Sequence, residues 1–273
     1  EWLKWWESGR GDTALGRQFR KLEADYLRRW KKVVKETITE YCQRHSIKAP
    51  NRYTTVQPAG TKSLLTGASS GWHPPKAARF IRRVTFRKND PVALACMEVG
   101  YNVIPAQSDE DEQGRLLDNP FDPRCTAWPV EIPTEVSWAA VPGADQIDIS
   151  KFSVAAQFDF YMQVQKFYTT HNTSATLEFR EHEIETLARL IYDSIDQNSG
   201  YISAALLARF DSHETFPRLP FEPIAAEEYL QLKAEVTRRQ KMADFHQALQ
   251  KFDGETLTEA GPAPCDSDFC LKS

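Results

Sequence analysis

Residues 53–75 contain the feature that most restricts how this chain folds. Residues 54–56 are β-branched (Thr-Thr-Val) and predict a strand. A Pro-Ala-Gly turn follows at 58–60, and residues 61–65 (Thr-Lys-Ser-Leu-Leu) predict the start of a helix. The first turn of a helix has backbone N–H groups without an internal acceptor, so a joint of small and hydroxyl residues is suited to binding an anion. The segment therefore predicts either an anion site or an ordinary strand–turn–helix joint with a Ser/Thr cap.

The spacing of the glycines distinguishes this joint from one well-known phosphate loop. A Walker A loop requires a Gly-Lys pair preceded by a further glycine, whereas Gly60 is followed by Thr61. Gly60 allows a close approach of the backbone, and Lys62 adds positive charge. The segment is thus not a Walker A loop, although it offers similar chemistry.

The longer string, T-T-V-Q-P-A-G-T-K-S-L-L-T-G at 54–67 and G-W-H-P at 71–74, resembles the phosphate-binding loop of the adenosylcobalamin-dependent ribonucleotide reductases. That family carries T-T-V-x-P-[SA]-G-T-x-S-L-L-x-G, a short gap and G-x-H-P. The resemblance implies that residues 59–63 hold the substrate's phosphates at a helix N-terminus. The lysine position varies in the family, so its role is inferred from charge alone. The candidate phosphate-binding residues are Pro58, Ala59, Gly60, Thr61, Lys62 and Ser63.

Composition limits the remaining classes of function. The 273 residues, 41% of them hydrophobic, suffice for one substantial core or for part of a larger domain. Because no apolar run reaches about 18 residues, no membrane span is expected. The net charge of −4 gives no general attraction to nucleic acid. The basic excess of residues 1–50 (12 Lys and Arg, 7 Asp and Glu) indicates either the solvated face of a helix, which is the commoner case, or a surface that faces polyphosphate or nucleic acid.

The start of the chain and its cysteines indicate its context. The first residues are Trp-rich, lack an initiator Met and resemble neither a signal nor a transit peptide, so we expect a piece of a longer protein. Five cysteines, an odd number, together with this start predict a reducing, cytoplasmic compartment.

Periodicity predicts the elements that follow. The predicted helices span 14–45, 90–100, 150–168, 181–195 and 225–252. The predicted strands span 80–86, 128–135 (irregular or at an edge, because of two prolines), 173–179 and 201–209 (buried on both faces). Residues 105–126 are expected to form an exposed excursion, and Cys42 a buried thiol.

The alternation of strand and helix predicts an α/β fold with a parallel layer. The strands are too few to close a barrel. By resemblance, the chain is expected to be the second half of a ten-stranded α/β barrel of the ribonucleotide reductase type. The expected division is residues 1–252, the C-terminal part of the catalytic barrel, and residues 253–273, a mobile tail carrying redox-active cysteines.

Cys265 and Cys270 form a close pair in that tail. A zinc site would need two more ligands, and the sequence offers no His or Cys nearby, so no metal site is predicted. Two unrelated surface thiols are one interpretation, and a pair that exchanges with an external reductant is the other. The resemblance implies the second, because the family's C-terminal tail carries a pair at this spacing that is served by a thioredoxin-type reductant.

Other parts of the family's chemistry are not identifiable. The radical cysteine lies in an N-x-C-x-E context upstream of the phosphate loop. Cys96-Met97-Glu98 has the C-x-E spacing, but it lacks the asparagine and lies downstream, within the predicted helix at 90–100, so we interpret it as coincidence. Asp211-Ser212-His213 superficially resembles a D-x-H-x-x-G cobalamin signature, which this family does not use.

The resemblance implies a C-terminal fragment of an adenosylcobalamin-dependent ribonucleoside-triphosphate reductase, an allosteric enzyme that makes deoxyribonucleotides for DNA replication. Its expected partners are a ribonucleoside triphosphate, a thioredoxin-type reductant and the upstream part that carries the radical cysteine, with neither membrane nor direct nucleic-acid binding. We expect no turnover from the fragment alone. Two alternatives stay open: a non-catalytic nucleotide-phosphate-binding regulatory module, unaffected by changes at the tail cysteines, and a thiol–disulfide carrier that works without nucleotide.

Overall fold

The computed structural model describes residues 1–59, 63, 68–209 and 218–252. The helices in this part of the chain are α1 (Trp2–Glu7), α2 (Ala14–Arg44), α3 (Pro91–Glu98), α4 (Val154–Phe167), α5 (Ile184–Asp196), α6 (Ala226–Arg239) and α7 (Phe245–Gln250). The strands are β1 (Arg79–Arg87), β2 (Asn102–Val103), β3 (Ala127–Glu135), β4 (Thr176–Phe179), β5 (Ala205–Ala208) and β6 (Phe221–Pro223).

The chain divides into two compact units, each made from two separate stretches. Unit 1 combines Glu1–Pro75 with Gln146–Phe210, and unit 2 combines Lys76–Asp145 with Asp211–Ser273. None of the helices in the described ranges has the length and apolar character required to cross a membrane.

Helix α2 of unit 1 confirms the long helix predicted from periodicity. Thr13 caps it, because its hydroxyl accepts a hydrogen bond from the Gly16 N–H at 3.0 Å. The face that packs on α4 includes Ala24 and Leu27, both buried. Cys42 is also buried, as predicted.

Helix α4 starts four residues later than predicted. The Ser153 hydroxyl accepts from the Ala156 N–H and so fixes the start of the helix, while Ile149–Lys151 forms a separate 3₁₀ turn. Glu183 completes the cap, since its carboxylate accepts from the Val154 N–H at 2.9 Å. Helices α4 and α5 and strand β4 contribute to one hydrophobic cluster in the core of unit 1, which contains Val154, Phe158, Tyr161, Ala175, Leu177 and Leu187.

The parallel layer is smaller than expected. Strands β4 and β5 pair in parallel over four residues, from Thr176 opposite Ala205 to Phe179 opposite Ala208. The prediction that residues 201–209 form a strand buried on both faces is wrong in extent and in burial, because β5 has four residues and Leu206 is 44% exposed. The predicted strand at 54–56 is also wrong, since that segment makes a single bridge, between Val56 and Thr173.

Unit 2 contains a four-stranded sheet in the order β2-β3-β1-β6. Every pairing in it is antiparallel, and β1 and β3 pair along nine residues each. The half barrel of a ten-stranded type expected from the resemblance is therefore not found among the described residues, where a mixed α/β arrangement takes its place.

The prediction that strand β3 is irregular or lies at an edge is wrong, because it pairs with β1 along nine residues and lies between β2 and β1. The carbonyls of Ala127 and Pro129 accept from the N–H groups that follow β2, so these residues direct their backbone polar groups away from β1. Pro133 shares that orientation, because backbone direction alternates along an antiparallel strand. A proline at either position therefore removes a hydrogen-bond donor only on the side of β2 and none on the side of β1. Strand β2 pairs with β3 through just two residues, so few hydrogen bonds are lost. A central strand tolerates the two prolines for this reason.

Helices α3, α6 and α7 pack in unit 2. Helix α3 confirms the prediction, with the Asp90 carboxylate accepting from the Val92 N–H and Gly100 following at a φ of +99°. The predicted helix over 225–252 is interrupted between α6 and α7. There, the N–H groups of Lys241 and Met242 donate to the Glu98 carbonyl, and Asp244 caps α7.

The segment 105–126 is not a fully exposed excursion, because Asp109 is buried within it. Burial alone would raise the pKa of this carboxyl, but the Thr126 hydroxyl and backbone N–H groups, including those of Thr126 and Ala106, donate to it and hold the pKa below its usual range. Asp109 thus organises the segment as an ionised acceptor.

Candidate phosphate-binding site

The segment before the predicted phosphate loop is fixed to the residues that follow α4. The Thr170 hydroxyl accepts from the N–H groups of Tyr53 and Thr54 at 2.8 and 3.0 Å, and the buried Thr54 hydroxyl donates to the Tyr168 carbonyl at 2.6 Å. The Thr55 hydroxyl donates to the Asn172 carbonyl at 2.7 Å. Thr54 and Thr55, which the sequence predicts to form a strand, therefore position the loop through their hydroxyl groups.

One residue in the middle of the loop, Ser63, belongs to the described part of the chain. Ser63 is helical and buried, and its N–H donates to the Ala59 carbonyl at 2.9 Å. The Ala68 N–H donates to the Ser63 carbonyl at 3.1 Å, a six-to-one bond typical of a helix C-terminus. Of the predicted phosphate-binding residues, Pro58, Ala59 and Ser63 are described, while Gly60, Thr61 and Lys62 lie outside the described residues.

The Gly-Trp-His part of the motif anchors the other end of the loop. The Trp72 N–H donates to the Ser174 carbonyl at 2.8 Å, and its indole stacks on Phe160 with ring centroids 4.9 Å apart. The Ala59 N–H donates to the Ser70 carbonyl at 2.7 Å and closes the loop. Gly71 is required here, because a Cβ would lie 2.7 Å from the Ser174 carbonyl oxygen.

His73 links the loop to strand β4. The Thr176 N–H donates to His73 Nδ1 at 3.2 Å, so the neutral ring carries its proton on Nε2, which lies 3.3 Å from the Ser70 hydroxyl. This side chain is thus oriented by two contacts, one on each side of its ring.

An open cleft of about 260 Å³ lies in unit 1 beside His73. Its polar lining includes Gln157, Glu178 and Arg209. The Gln157 amide donates to the Glu178 carbonyl at 2.9 Å and accepts from the Glu178 N–H at 3.0 Å, so it covers one edge of β4. Arg209 pairs with the Glu178 carboxylate and donates to the Ser150 carbonyl at 2.6 Å. Sequence reasoning missed these residues, although Gln157 is a polar residue on the inward side of a predicted helix.

A second group that sequence reasoning missed fixes the N-terminal segment. The Arg10 guanidinium is fully buried, donates to both carboxylate oxygens of Glu23 at 2.8 and 2.7 Å and donates to Asp159 at 2.8 Å. It also lies over the rings of Trp5 and Trp6, at 4.3 and 4.7 Å from their centroids. The available signal was an arginine close to a Trp-rich stretch. The saturated contacts indicate a structural role.

The cysteines of the described ranges are unsuited to thiol exchange. Cys42, Cys96 and Cys125 are free and buried. Burial, and secondarily Asp90, raises the pKa of Cys96 to about 11, and burial also raises the pKa of Cys125. Because the thiolate is the reactive form, Cys96 and Cys125 are largely inert near neutral pH. The predicted redox pair, Cys265 and Cys270, lies outside the described residues.

Comparison with a solved structure identifies the class of fold. A crystal structure of a B-12-dependent (class II) ribonucleotide reductase matches 86% of this chain and 29% of its own, with a TM-score of 0.65 and 22% identity. The described fold is therefore that of a region of a class II ribonucleotide reductase.

Sequence comparison gives the more particular result. The adenosylcobalamin-dependent ribonucleoside-triphosphate reductase of Lactobacillus gasseri is 24% identical over 234 residues, covering 85% of this chain and 28% of that protein. The Euglena gracilis enzyme of the same name is 26% identical over 241 residues, which cover 86% of this chain and 28% of that protein. The Lactobacillus leichmannii enzyme of the same name is 28% identical over 192 residues, which cover 68% of this chain and 22% of that protein. No family model matches the chain.

The resemblance to the adenosylcobalamin-dependent ribonucleoside-triphosphate reductases, predicted from the loop, is thus confirmed over most of the chain. The chain spans about 28% of the length of the first two of these relatives, so it corresponds to a partial region of them.

Proposed function

We propose that this chain is a region of an adenosylcobalamin-dependent ribonucleoside-triphosphate reductase that binds the substrate's phosphates and delivers reducing equivalents. The observation that supports it most directly is the loop architecture. The motif is anchored at 53–55 and 70–73, with a helical bond from Ser63 to Ala59 between the anchors. In such a turn, the first N–H groups have no acceptor within the helix.

The proposal assigns those N–H groups, at residues 60–62, to the phosphate oxygens of a ribonucleoside triphosphate. The hydroxyls of Thr61 and Ser63 supply further hydrogen bonds, and the Lys62 ammonium offsets the phosphate charge. Pro58 and Ala59 set the approach of the chain into the turn. The anchors at Ser70 and His73 hold this arrangement in place before the substrate arrives.

The second assigned task is electron delivery by the tail. In the proposed step, the Cys265 and Cys270 thiols become a disulfide, and two electrons and two protons pass to a disulfide in the active site of the complete enzyme. A thioredoxin-type dithiol then reduces the tail disulfide by exchange through a mixed disulfide. The buried cysteines of the described ranges take no part, because burial shields their thiols from an external disulfide or reductant.

Adenosylcobalamin is named for the relatives, and we propose that the complete enzyme uses it to generate the radical that starts the reaction. The cleft beside His73 does not fit this cofactor. Its enclosed cavity volume is about 10 Å³, whereas pockets for drug-sized ligands, which are smaller than a corrinoid, measure roughly 300–1,000 Å³. We therefore assign the cofactor to the complete enzyme and no side chain of this chain to it.

Reconstitution tests the proposal. The chain is mixed with a polypeptide carrying the remaining reductase sequence, with adenosylcobalamin, a ribonucleoside triphosphate and thioredoxin, and deoxynucleotide is measured. We expect product only from the mixture. A version with Cys265→Ser and Cys270→Ser should lose thioredoxin-dependent turnover but retain turnover with a small dithiol. Turnover by the purified chain alone would contradict the proposal.

Direct binding tests the phosphate assignment. Calorimetry with ATP and adenosine should show that triphosphate affinity falls about 10-fold or more in Lys62→Ala, as expected for losing a charge-assisted bond worth roughly 1.5–3 kcal/mol. Lys48→Ala, which removes a lysine from an exposed site in unit 1, is the matched control. Nucleotide binding without any reconstituted turnover would favour the regulatory module, and thioredoxin-linked reduction of the tail without nucleotide binding would favour the thiol–disulfide carrier.

A further inference from the structure

Helix α2 carries an exposed apolar stripe beside the face that packs on α4. We define the aromatic stripe as six side chains that are between 42% and 56% exposed: Leu15, Leu22, Tyr26, Trp30, Val33 and Tyr41. Their spacing follows steps of three and four residues, with the half-buried Phe19 and the exposed Thr37 filling the gaps. The Thr37 hydroxyl donates to the Val33 carbonyl of its own helix, so this residue does not interrupt the stripe with an unpaired polar group.

The six exposed residues of the stripe are distinct from the buried residues of α2, although Phe19 in the same row also contacts Trp5. Gly16, Ala24, Leu27 and Cys42 are the buried residues of α2, and they lie on the side that packs toward α4. The apolar surface of the helix is therefore wider than packing on α4 requires, and its outer part is left exposed. An exposed Leu alone needs no explanation, but a continuous row including three aromatic rings is typical of an interaction site.

The dimensions fit the centre of a protein interface. From Leu15 to Tyr41 the stripe is about 39 Å long at 1.5 Å per residue, and with a helix diameter of about 10 Å it offers roughly 400 Å². That is about half of the 800 Å² per partner in a standard interface. The basic side chains beside the stripe would supply the polar rim, and Tyr and Trp are the residue types enriched at energetic hot spots.

Charge indicates what covers the stripe. Helix α2 carries nine Lys and Arg against four Asp and Glu. A second copy would bring this positive helix against itself, which is unfavourable, whereas a partner with an acidic rim is complementary. Nucleic acid fits less well as the partner. Arg28 is paired with Asp25 and Lys32 with Glu36 on the same helix, so the positive charge does not form a continuous row, whereas the apolar side chains do.

We propose that the aromatic stripe docks onto the portion of the reductase that this chain does not contain, on an apolar face edged by acidic side chains. This inference rests on the proposed function. It is supported by the relatives, in which about 85% of this chain corresponds to 28% of a protein, so most of the reductase lies outside the matched region.

The test measures assembly and turnover separately. The polypeptide carrying the remaining reductase sequence is titrated with wild-type chain, with Leu22→Lys/Trp30→Lys and with a control, Tyr192→Lys, which changes a 68% exposed aromatic on α5. We expect the dissociation constant to rise at least 10-fold in the stripe variant and to stay unchanged in the control. At saturating partner, the stripe variant should recover the wild-type rate, because its change lies outside the phosphate loop and the tail.

A milder variant, Tyr26→Ala/Val33→Ala, removes apolar surface without adding charge, and circular dichroism verifies that both variants fold. Equal affinity of wild-type chain and both stripe variants would overturn the docking inference while leaving turnover, and thus the proposed function, intact. Stripe-dependent binding without turnover would support docking and count against the proposed function. Three other results would also overturn docking. The wild-type chain could fail to bind the remaining reductase polypeptide, sedimentation could show self-association that depends on the stripe, or a DNA oligonucleotide could bind in a salt-sensitive way.

Discussion

Replacing Gly71 by alanine should loosen the closure of the phosphate loop. The added Cβ would lie 2.7 Å from the Ser174 carbonyl oxygen and 2.9 Å from His73 Cε1. Relief of this contact must move the chain by several tenths of an ångström, and it separates the Trp72 N–H from the same carbonyl, 2.8 Å away. Overpacking of this kind costs about 1–3 kcal/mol, and a lost hydrogen bond costs about 1 kcal/mol. We therefore expect Gly71→Ala to lower the free energy of unfolding of unit 1 by about 2–3 kcal/mol.

Urea denaturation followed by tryptophan fluorescence measures this loss, because five of the seven tryptophans belong to unit 1. The matched control is Gly11→Ala in the same unit, where an added Cβ meets nothing within 4 Å. Calorimetry under native conditions should also show weaker ATP binding by Gly71→Ala, because the loop that closes at Ser70 is displaced. Unfolding free energies of the two variants that agree within about 0.5 kcal/mol would refute the reasoning.

Two further predictions concern buried charges. Arg10→Met should destabilise unit 1 by about 3–5 kcal/mol, since it leaves Glu23 and Asp159 without their buried partner. In urea denaturation, adding Glu23→Gln should recover part of that loss, and strict additivity would contradict the coupling. Asp109 has a folded pKa below its unfolded value, so its stabilising contribution is present above the unfolded pKa of about 3.9 and is lost as the pH falls through the folded pKa. Thermal unfolding between pH 2 and 6 should therefore depend less on pH in Asp109→Asn, and an unchanged profile would contradict this assignment.

Elements with local start and stop signals could be predicted from the sequence. Helix α3 begins at Asp90-Pro91 and ends before Gly100, because capping and glycine geometry are local properties. The central position of strand β3 in its sheet could not be predicted. Tolerance of its prolines depends on how short β2 is, and that length is set by tertiary pairing. The break before α7 likewise depends on the Glu98 carbonyl, which lies far away in sequence.

The candidate site shows the same division. The motif residues that position the loop, such as Gly71 and His73, could be identified because they occupy fixed spacings in one stretch. The residues that support them could not. Thr170 and Thr176 come from more than 90 residues downstream, and their contributions are a hydroxyl and a backbone N–H that no composition rule distinguishes.

The interleaved connectivity of the two units has a consequence for synthesis on the ribosome. A nascent chain that ends near residue 145 contains the first stretch of both units and the complete form of neither. The α4 helix and strand β4, which supply most of the unit 1 core, emerge only afterwards. Because domains fold as units and exposed apolar surface aggregates, the first half of the chain needs protection during translation. For the same reason, no single truncation isolates the phosphate loop in a folded unit, and expression of the loop requires the chain through residue 210.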